Sequence, residues 1–123
     1  MSSRSIEDLT PETQELYNKF AVIMKSKGIN YIVTCTFRSQ DEQNSLFEKG
    51  RTKPGQIVTW TRKSRHTDRE AFDIAILKNG KISWNVDDYL EAGKIGRAVG
   101  LVWGGDFKTS KDRPHFEKAK EAK

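Results

Sequence analysis

Asn79-Gly80 stands between the run Ala71-Phe72-Asp73-Ile74-Ala75-Ile76-Leu77 and the shorter run Lys81-Ile82-Ser83-Trp84. Asn and Gly tolerate the positive φ that a two-residue hairpin turn demands, so the two runs read as strands folded back on one another. Part of any sheet must then be antiparallel. Helical signals surround this hairpin. Thr10-Pro11-Glu12 supplies an N-cap, a proline at the first helical position and an acid in the first turn. Leu16, Phe20, Ile23 and Met24 then recur at helical spacing until Gly28, predicting a helix over about 11–27. Residues 29–37 are rich in β-branched and aromatic types and read as a strand. Ser39-Gln40-Asp41-Glu42 has the form of a capping box, opening a short second helix that ends at Gly50. Asn85 can cap a third helix over 86–99, with Tyr89, Leu90, Ile95, Ala98 and Val99 on its apolar face and Gly100 as its stop. Leu101-Val102-Trp103 and His115-Phe116-Glu117 read as short strands, and the tail from Lys118 as frayed chain or a helical turn. Residues 51–65 hold Pro54, Gly55 and many polar groups and read as a long loop, a kind that is usually functional or mobile. At 123 residues the chain suits one domain. The expected class is α+β: a single catalytic-sized domain, 1–123, with a small, mostly antiparallel sheet, about three packed helices and no appended module.

Composition then excludes several classes. Hydrophobic residues make up 35% and charged residues 32%, and three Trp, three Tyr and six Phe are enough to anchor a core, so general disorder is excluded. The only cysteine, Cys35, can form no internal disulfide and rules out a four-cysteine zinc site; in the run Tyr31-Ile32-Val33-Thr34-Cys35 it reads as a buried, inert thiol. No apolar signal segment opens the chain, and no run approaches the roughly 20 apolar residues of a membrane helix. A cytoplasmic product is expected. A net charge of +5 and a pI near 9.4 favour an anionic partner, whether nucleic acid, lipid headgroups or an acidic wall polymer. The basic residues are scattered, with modest clusters at Arg62-Lys63-Ser64-Arg65 and Lys118-Ala119-Lys120, so a solvated surface explains them equally well. No recognition helix or aromatic RNA-binding motif accompanies them, and nucleic acid is not the expected partner.

Asp73 stands among six apolar residues. An ionised carboxylate there must be paired, hydrogen-bonded or bound to a metal, because burying it alone costs several kcal/mol. A salt bridge to Arg or Lys and a metal site are both open. The two histidines of the chain are His66, seven residues upstream, and His115 in Asp112-Arg113-Pro114-His115-Phe116-Glu117. Two imidazoles and one carboxylate make a three-ligand zinc set of the catalytic type, although no H-E-x-x-H helix is present and ordinary loop or core histidines compete with that reading.

Ser64-Arg65-His66 followed by Ala71-Phe72-Asp73 resembles the S-x-H-x-x-G-x-A-x-D signature of the LAS metallopeptidases, which include D-alanyl-D-alanine peptidases and phage L-alanyl-D-glutamate endopeptidases. Asp112-Arg113-Pro114-His115-Phe116-Glu117 resembles their second motif, D-x-P-H-F-E. In order along the chain, Phe37-Arg38-Ser39, Glu42-Gln43, Leu46-Phe47, Gly50-Arg51-Thr52-Lys53-Pro54-Gly55 and Trp103-Gly104-Gly105-Asp106-Phe107 match segments of the phage enzymes. The resemblance implies that one zinc per chain is held by His66, Asp73 and His115, that Asp112 is the general base, and that Arg38 steadies the substrate carbonyl. A bound zinc lowers the pKa of water, a nearby carboxylate takes the proton, and a guanidinium favours the negative oxygen that develops on attack. Glu117 is the rival base. Arg38 has a structural alternative, pairing with Asp41 or Glu42 to hold its corner. Ser64 matches the motif serine and Gln43 matches by position, which makes both candidates for substrate contact.

The resemblance further implies a zinc-dependent peptidoglycan hydrolase that cuts the L-alanyl-D-glutamate bond of stem peptides. As a phage endolysin it would be held as a monomer in the host cytoplasm until lysis. A D-alanyl-D-alanine carboxypeptidase with the same metal and base is the first alternative, and a catalytically silent zinc-bearing wall-binding module the second. One departure stands out: Arg69 replaces the glycine of the first motif. If that position needs positive φ, Arg69 is strained by about 1 kcal/mol.

Overall fold

The computed structural model describes residues 3–49, 51, 65–108 and 111–119. Helix α1, Pro11–Ser26, begins where the Thr10 side chain accepts from the Thr13 amide and Pro11 takes the first helical position. Strand β1, Asn30–Cys35, leads to Ser39, whose hydroxyl caps helix α2, Gln40–Glu48, by accepting from the Glu42 amide. Strands β2, Ala71–Lys78, and β3, Lys81–Ser83, flank a turn in which Asn79 has φ 54° and Gly80 φ 78°. Both central residues of the hairpin turn are therefore left-handed, as Asn-Gly predicts. Helix α3, Val86–Val99, is capped by Asn85 and stopped by Gly100 at φ 100°. Strands β4, Leu101–Trp103, and β5, His115–Lys118, complete the sheet.

Among the described residues all the strand pairs are antiparallel, in the order β1-β2-β5-β4, with β3 also pairing β2. The hairpin partner β3 takes the far half of β2 and β5 takes the near half, so β2 is the central strand. Its long apolar run follows from that position. Phe72, Ile74 and Ile76 point to one face, where they meet Phe20 and Met24 of α1, Tyr89, Ala92 and Ile95 of α3, and Trp103 and Phe116. Ala71, Asp73 and Ala75 point to the other face. Asp73 thus lies inside a hydrophobic stretch without lying in the hydrophobic core.

The apolar face expected for α3 holds at Tyr89, Ile95 and Val99 and is corrected at Leu90 and Ala98. Leu90 is 42% exposed and Ala98 is also exposed, while Tyr89, Ala92, Gly93, Ile95 and Gly96 are buried. The two glycines set this face. A Cβ on Gly93 would stand 2.5 Å from the Trp103 ring, and one on Gly96 would stand 2.6 Å from the Phe116 ring. Two aromatic rings of the sheet therefore rest directly on helix backbone. Trp84 lies outside β3 and is largely exposed, stacked on Tyr89. The Tyr89 hydroxyl closes the junction of β2 and β3, accepting from the Ile76 amide at 3.1 Å and donating to the Ser83 carbonyl at 2.7 Å. Lys118, read from sequence as the start of a tail, is a half-buried member of β5 that pairs with Glu12 and Glu70. Residues 120–123 lie outside the described residues.

Candidate metal centre

Strand register assembles the centre. Asp73 pairs directly with His115 across β2 and β5, and with Cys35 across β2 and β1. His66 comes from the turn over 65–69 that leads into β2. Asp73 Oδ1 lies 2.9 Å from His115 Nδ1 and 3.1 Å from His66 Nε2. One donor atom from each of the three residues lies within 4.8 Å of the others. The outer nitrogen of each imidazole is engaged elsewhere: His66 Nδ1 is 3.3 Å from the Thr36 carbonyl, and His115 Nε2 is 2.8 Å from Glu117 Oε1. Carbonyl and carboxylate oxygens only accept, so each outer nitrogen carries a hydrogen and the inner nitrogens converge on Asp73. Two nitrogens and one carboxylate oxygen in that arrangement fit a divalent metal of the zinc type.

The same packing shifts the three groups. Burial works to raise the Asp73 carboxyl, but the hydrogen bonds with His115 and His66 outweigh it and hold the group well below the usual carboxylate range. Burial lowers both imidazoles; against it, Asp73 and then Cys35 push His66 up to about 10. Asp73 and Glu117 push His115 up to about 9. Asp112 moves the other way from Asp73. Although its residue is exposed overall, desolvation first and the Asp73 charge second raise its carboxyl, while His115, His66 and Arg38 pull it down. Asp112 is therefore within electrostatic reach of all three cluster residues and of Arg38.

Asp112 is fixed by backbone. Its amide donates to the Gly104 carbonyl at 3.0 Å, and its own carbonyl accepts from the His115 amide at 3.1 Å. A Cβ on Gly104 would overlap that Asp112 carbonyl, which explains why the Trp103-Gly104-Gly105 segment carries glycine there. Bidentate pairing of Arg97 with Asp106, at 2.7 and 2.6 Å, anchors the 3-10 turn Gly104–Asp106 to α3.

Arg38 sits at the corner between β1 and α2. Its Nη1 donates to Oε1 of the fully buried Gln43 at 2.8 Å, and Nη2 reaches Cys35 Sγ at 3.7 Å. Its Nε is buried with no hydrogen-bond partner among the described residues, and the guanidinium pairs with neither Asp41 nor Glu42 among them. Ser64 and the 52–55 part of the glycine-rich segment fall outside the described residues.

At the departure from the family pattern, Arg69 has φ 63°. The turn does need a left-handed residue there, and the arginine is held in place by several contacts, among them an Nη1 hydrogen bond to the Asp8 carbonyl at 3.1 Å. Its guanidinium lies 4.0 Å from the Phe37 ring centroid and 3.6 Å from the Asp8 carboxylate, and its carbonyl accepts from the Thr10 amide at 2.9 Å.

Thr36 was not legible as a site residue. It is fully buried, its amide donates to the Ser3 carbonyl at 2.7 Å, its hydroxyl donates to the Ser5 carbonyl at 2.7 Å, and its own carbonyl faces His66. A β-branched residue at a strand end looks like any other; only its place before a strand-to-helix corner hinted at a task.

Comparison with known proteins places these observations among relatives. Residues 58–118 match the M15 peptidase family model described as D-alanyl-D-alanine carboxypeptidase. The chain is 38% identical to the peptidoglycan L-alanyl-D-glutamate endopeptidase CwlK of Bacillus subtilis, over 89% of this chain and 73% of that one. It is 23% identical to the L-alanyl-D-glutamate peptidase of Listeria phage A118, over 94% of this chain and 40% of the relative. Among solved structures, the fold is similar to Serratia marcescens L-Ala D-Glu endopeptidase ChiX, with a TM-score of 0.76 at 23% identity over 97% of this chain and 89% of that one. It is also similar to the LD-carboxypeptidase LdcB, with a TM-score of 0.70 at 18% identity over 89% and 58%.

Proposed function

The chain belongs to the M15 peptidases, and from that premise we propose that it is a zinc-dependent peptidoglycan hydrolase cleaving the L-alanyl-D-glutamate bond of cell-wall stem peptides. The observation that carries the chemistry is the convergence of His66 Nε2, Asp73 Oδ1 and His115 Nδ1, with Asp112 and Arg38 in the same electrostatic neighbourhood. The relative from Bacillus subtilis supports the choice of bond.

His66, Asp73 and His115 would hold one zinc ion, which when bound supplies Lewis acidity and an activated water. Asp112 takes the proton from the attacking water and passes it to the leaving amine, a task helped by burial, which raises its carboxyl above the ordinary value. Arg38, hydrogen-bonded to Gln43, places positive charge where the scissile carbonyl oxygen becomes negative. Ser64, one residue before the metal-site turn, remains a candidate for substrate contact. A lytic role after release from a phage-infected host cytoplasm, with the chain acting as a monomer, is the finer reading. The Listeria phage relative supports that role, and the chain spans two-fifths of that relative's length. Among the described residues no helix is long and apolar enough to cross a membrane.

Removal of a terminal D-alanine is the second reading, favoured by the description of the matching family model. Incubation with a defined muropeptide, followed by mass spectrometry of the products, separates the two. A new D-glutamate amino terminus supports the endopeptidase, loss of a single alanine mass replaces it with the carboxypeptidase, and an intact muropeptide with zinc bound leaves a silent binding module.

A further inference from the structure

Glu117 was a rival for the role of base, and its geometry gives it another. We propose that Glu117 is a positioning residue that fixes the tautomer and ring plane of His115, and that Arg65 holds Glu117 in place for that purpose. The inference rests on the metal reading above. Glu117 Oε1 lies 2.8 Å from His115 Nε2, while His115 Nδ1 faces Asp73 at 2.9 Å. The two nitrogens of an imidazole point away from each other, so a carboxylate on Nε2 lies across the ring from the convergent donors. From there it cannot serve a nucleophile on the Nδ1 side, but it does keep the hydrogen on Nε2 and leaves the Nδ1 lone pair to the metal.

Glu117 is itself held. Its other carboxylate oxygen is 3.8 Å from Arg65 Nε. Arg65 also donates through Nη2 to the Lys118 carbonyl at 2.8 Å and pairs with Glu70 at 3.2 Å. Lys118 adds a second cation, 3.6 Å from Glu70. Arg65 immediately precedes His66, so one guanidinium ties the turn that carries His66 to the strand that carries His115. The basic cluster visible in the sequence is turned inward at this residue: the Arg65 side chain is only 20% exposed.

The test compares Glu117→Ala, Glu117→Gln and Arg65→Ala in the full chain. Zinc affinity is read by competition with a chromophoric chelator, the His115 ring by nitrogen NMR, and folding by circular dichroism. Loss of an outer-shell partner of this kind typically costs about 10- to 100-fold in metal affinity. Glu117→Ala should show that loss and allow His115 to populate both tautomers. Glu117→Gln, whose amide oxygen still accepts from Nε2, should stay within a few-fold of wild type and keep the Nε2 hydrogen. Arg65→Ala should fall between them. Wild-type affinity and an unchanged His115 tautomer in Glu117→Ala would overturn the proposal. So would Gln and Ala variants equally inactive with zinc affinity intact, which would return the base role to Glu117. Failure of wild type to bind zinc, or undiminished binding by His115→Ala, would instead sink the metal reading and this inference with it.

Discussion

One carboxylate oxygen, Asp73 Oδ1, stands between two imidazole nitrogens, and the outer nitrogens of both rings are tied down behind it. A base for water need not belong to that set. Asp112→Asn should therefore keep its metal and lose at least about a hundredfold in turnover, the lower end of what a positioned general base contributes; metal analysis and rates on one sample decide it. Arg38→Ala should likewise keep metal and lose rate, with Arg38→Lys recovering part, because an ammonium supplies charge without the planar fork. A lowered melting temperature with full turnover per folded molecule would make Arg38 structural. The residues of the cluster were legible because histidines are few and a carboxylate inside an apolar run is conspicuous. Thr36 and the task of Glu117 were not. The first depends on a contact between segments 30 residues apart, and the second on which nitrogen of the His115 ring faces Asp73, and no local pattern encodes either.

Elements show the same division. The start of each of the three α-helices was readable from its cap, since Thr10, Ser39 and Asn85 act on amides two or three residues away. The buried face of α3 was readable at Tyr89, Ile95 and Val99 but not at Gly93 and Gly96, because glycine carries no apolar signal and its value lies in what it lets approach. Gly96→Ala tests this. Propensity alone would favour alanine by about 1 kcal/mol. Overpacking against Phe116 should reverse the sign and destabilise by about 1–3 kcal/mol in chemical denaturation. The turn before β2 offers a complementary case. Arg69→Ala keeps the left-handed strain and loses the contacts to Phe37 and Asp8, whereas Arg69→Gly loses both. The glycine variant should be the more stable by about 1 kcal/mol. Equal stability would mean that the turn does not hold that φ in solution.

At the scale of the whole molecule, the cluster couples folding, protons and metal. In metal-free protein the two imidazoles are raised from 6.5 to about 10 and about 9, so their stabilisation is fully present below pH 6.5 and lost as pH rises through 9 and 10. Asp73 is depressed, so its contribution is present above 3.8 and lost as pH falls through its folded value. Metal-free protein should be most stable between about pH 4 and 6.5. Metal needs both inner nitrogens bare, so zinc uptake at neutral pH should release protons, and the gain in melting temperature from chelator-buffered zinc should widen from pH 6 to 9. A constant gap across that range would contradict it. The sheet order adds a consequence in time. Strand β5 comes after the other described strands in sequence but lies between β2 and β4. A growing chain therefore leaves the ribosome with its sheet open at the middle and one imidazole still missing. Until β5 slots in, His66 and Asp73 are two donors on an unclosed surface, so the polypeptide stays inert while it is being made and competence arrives with that strand.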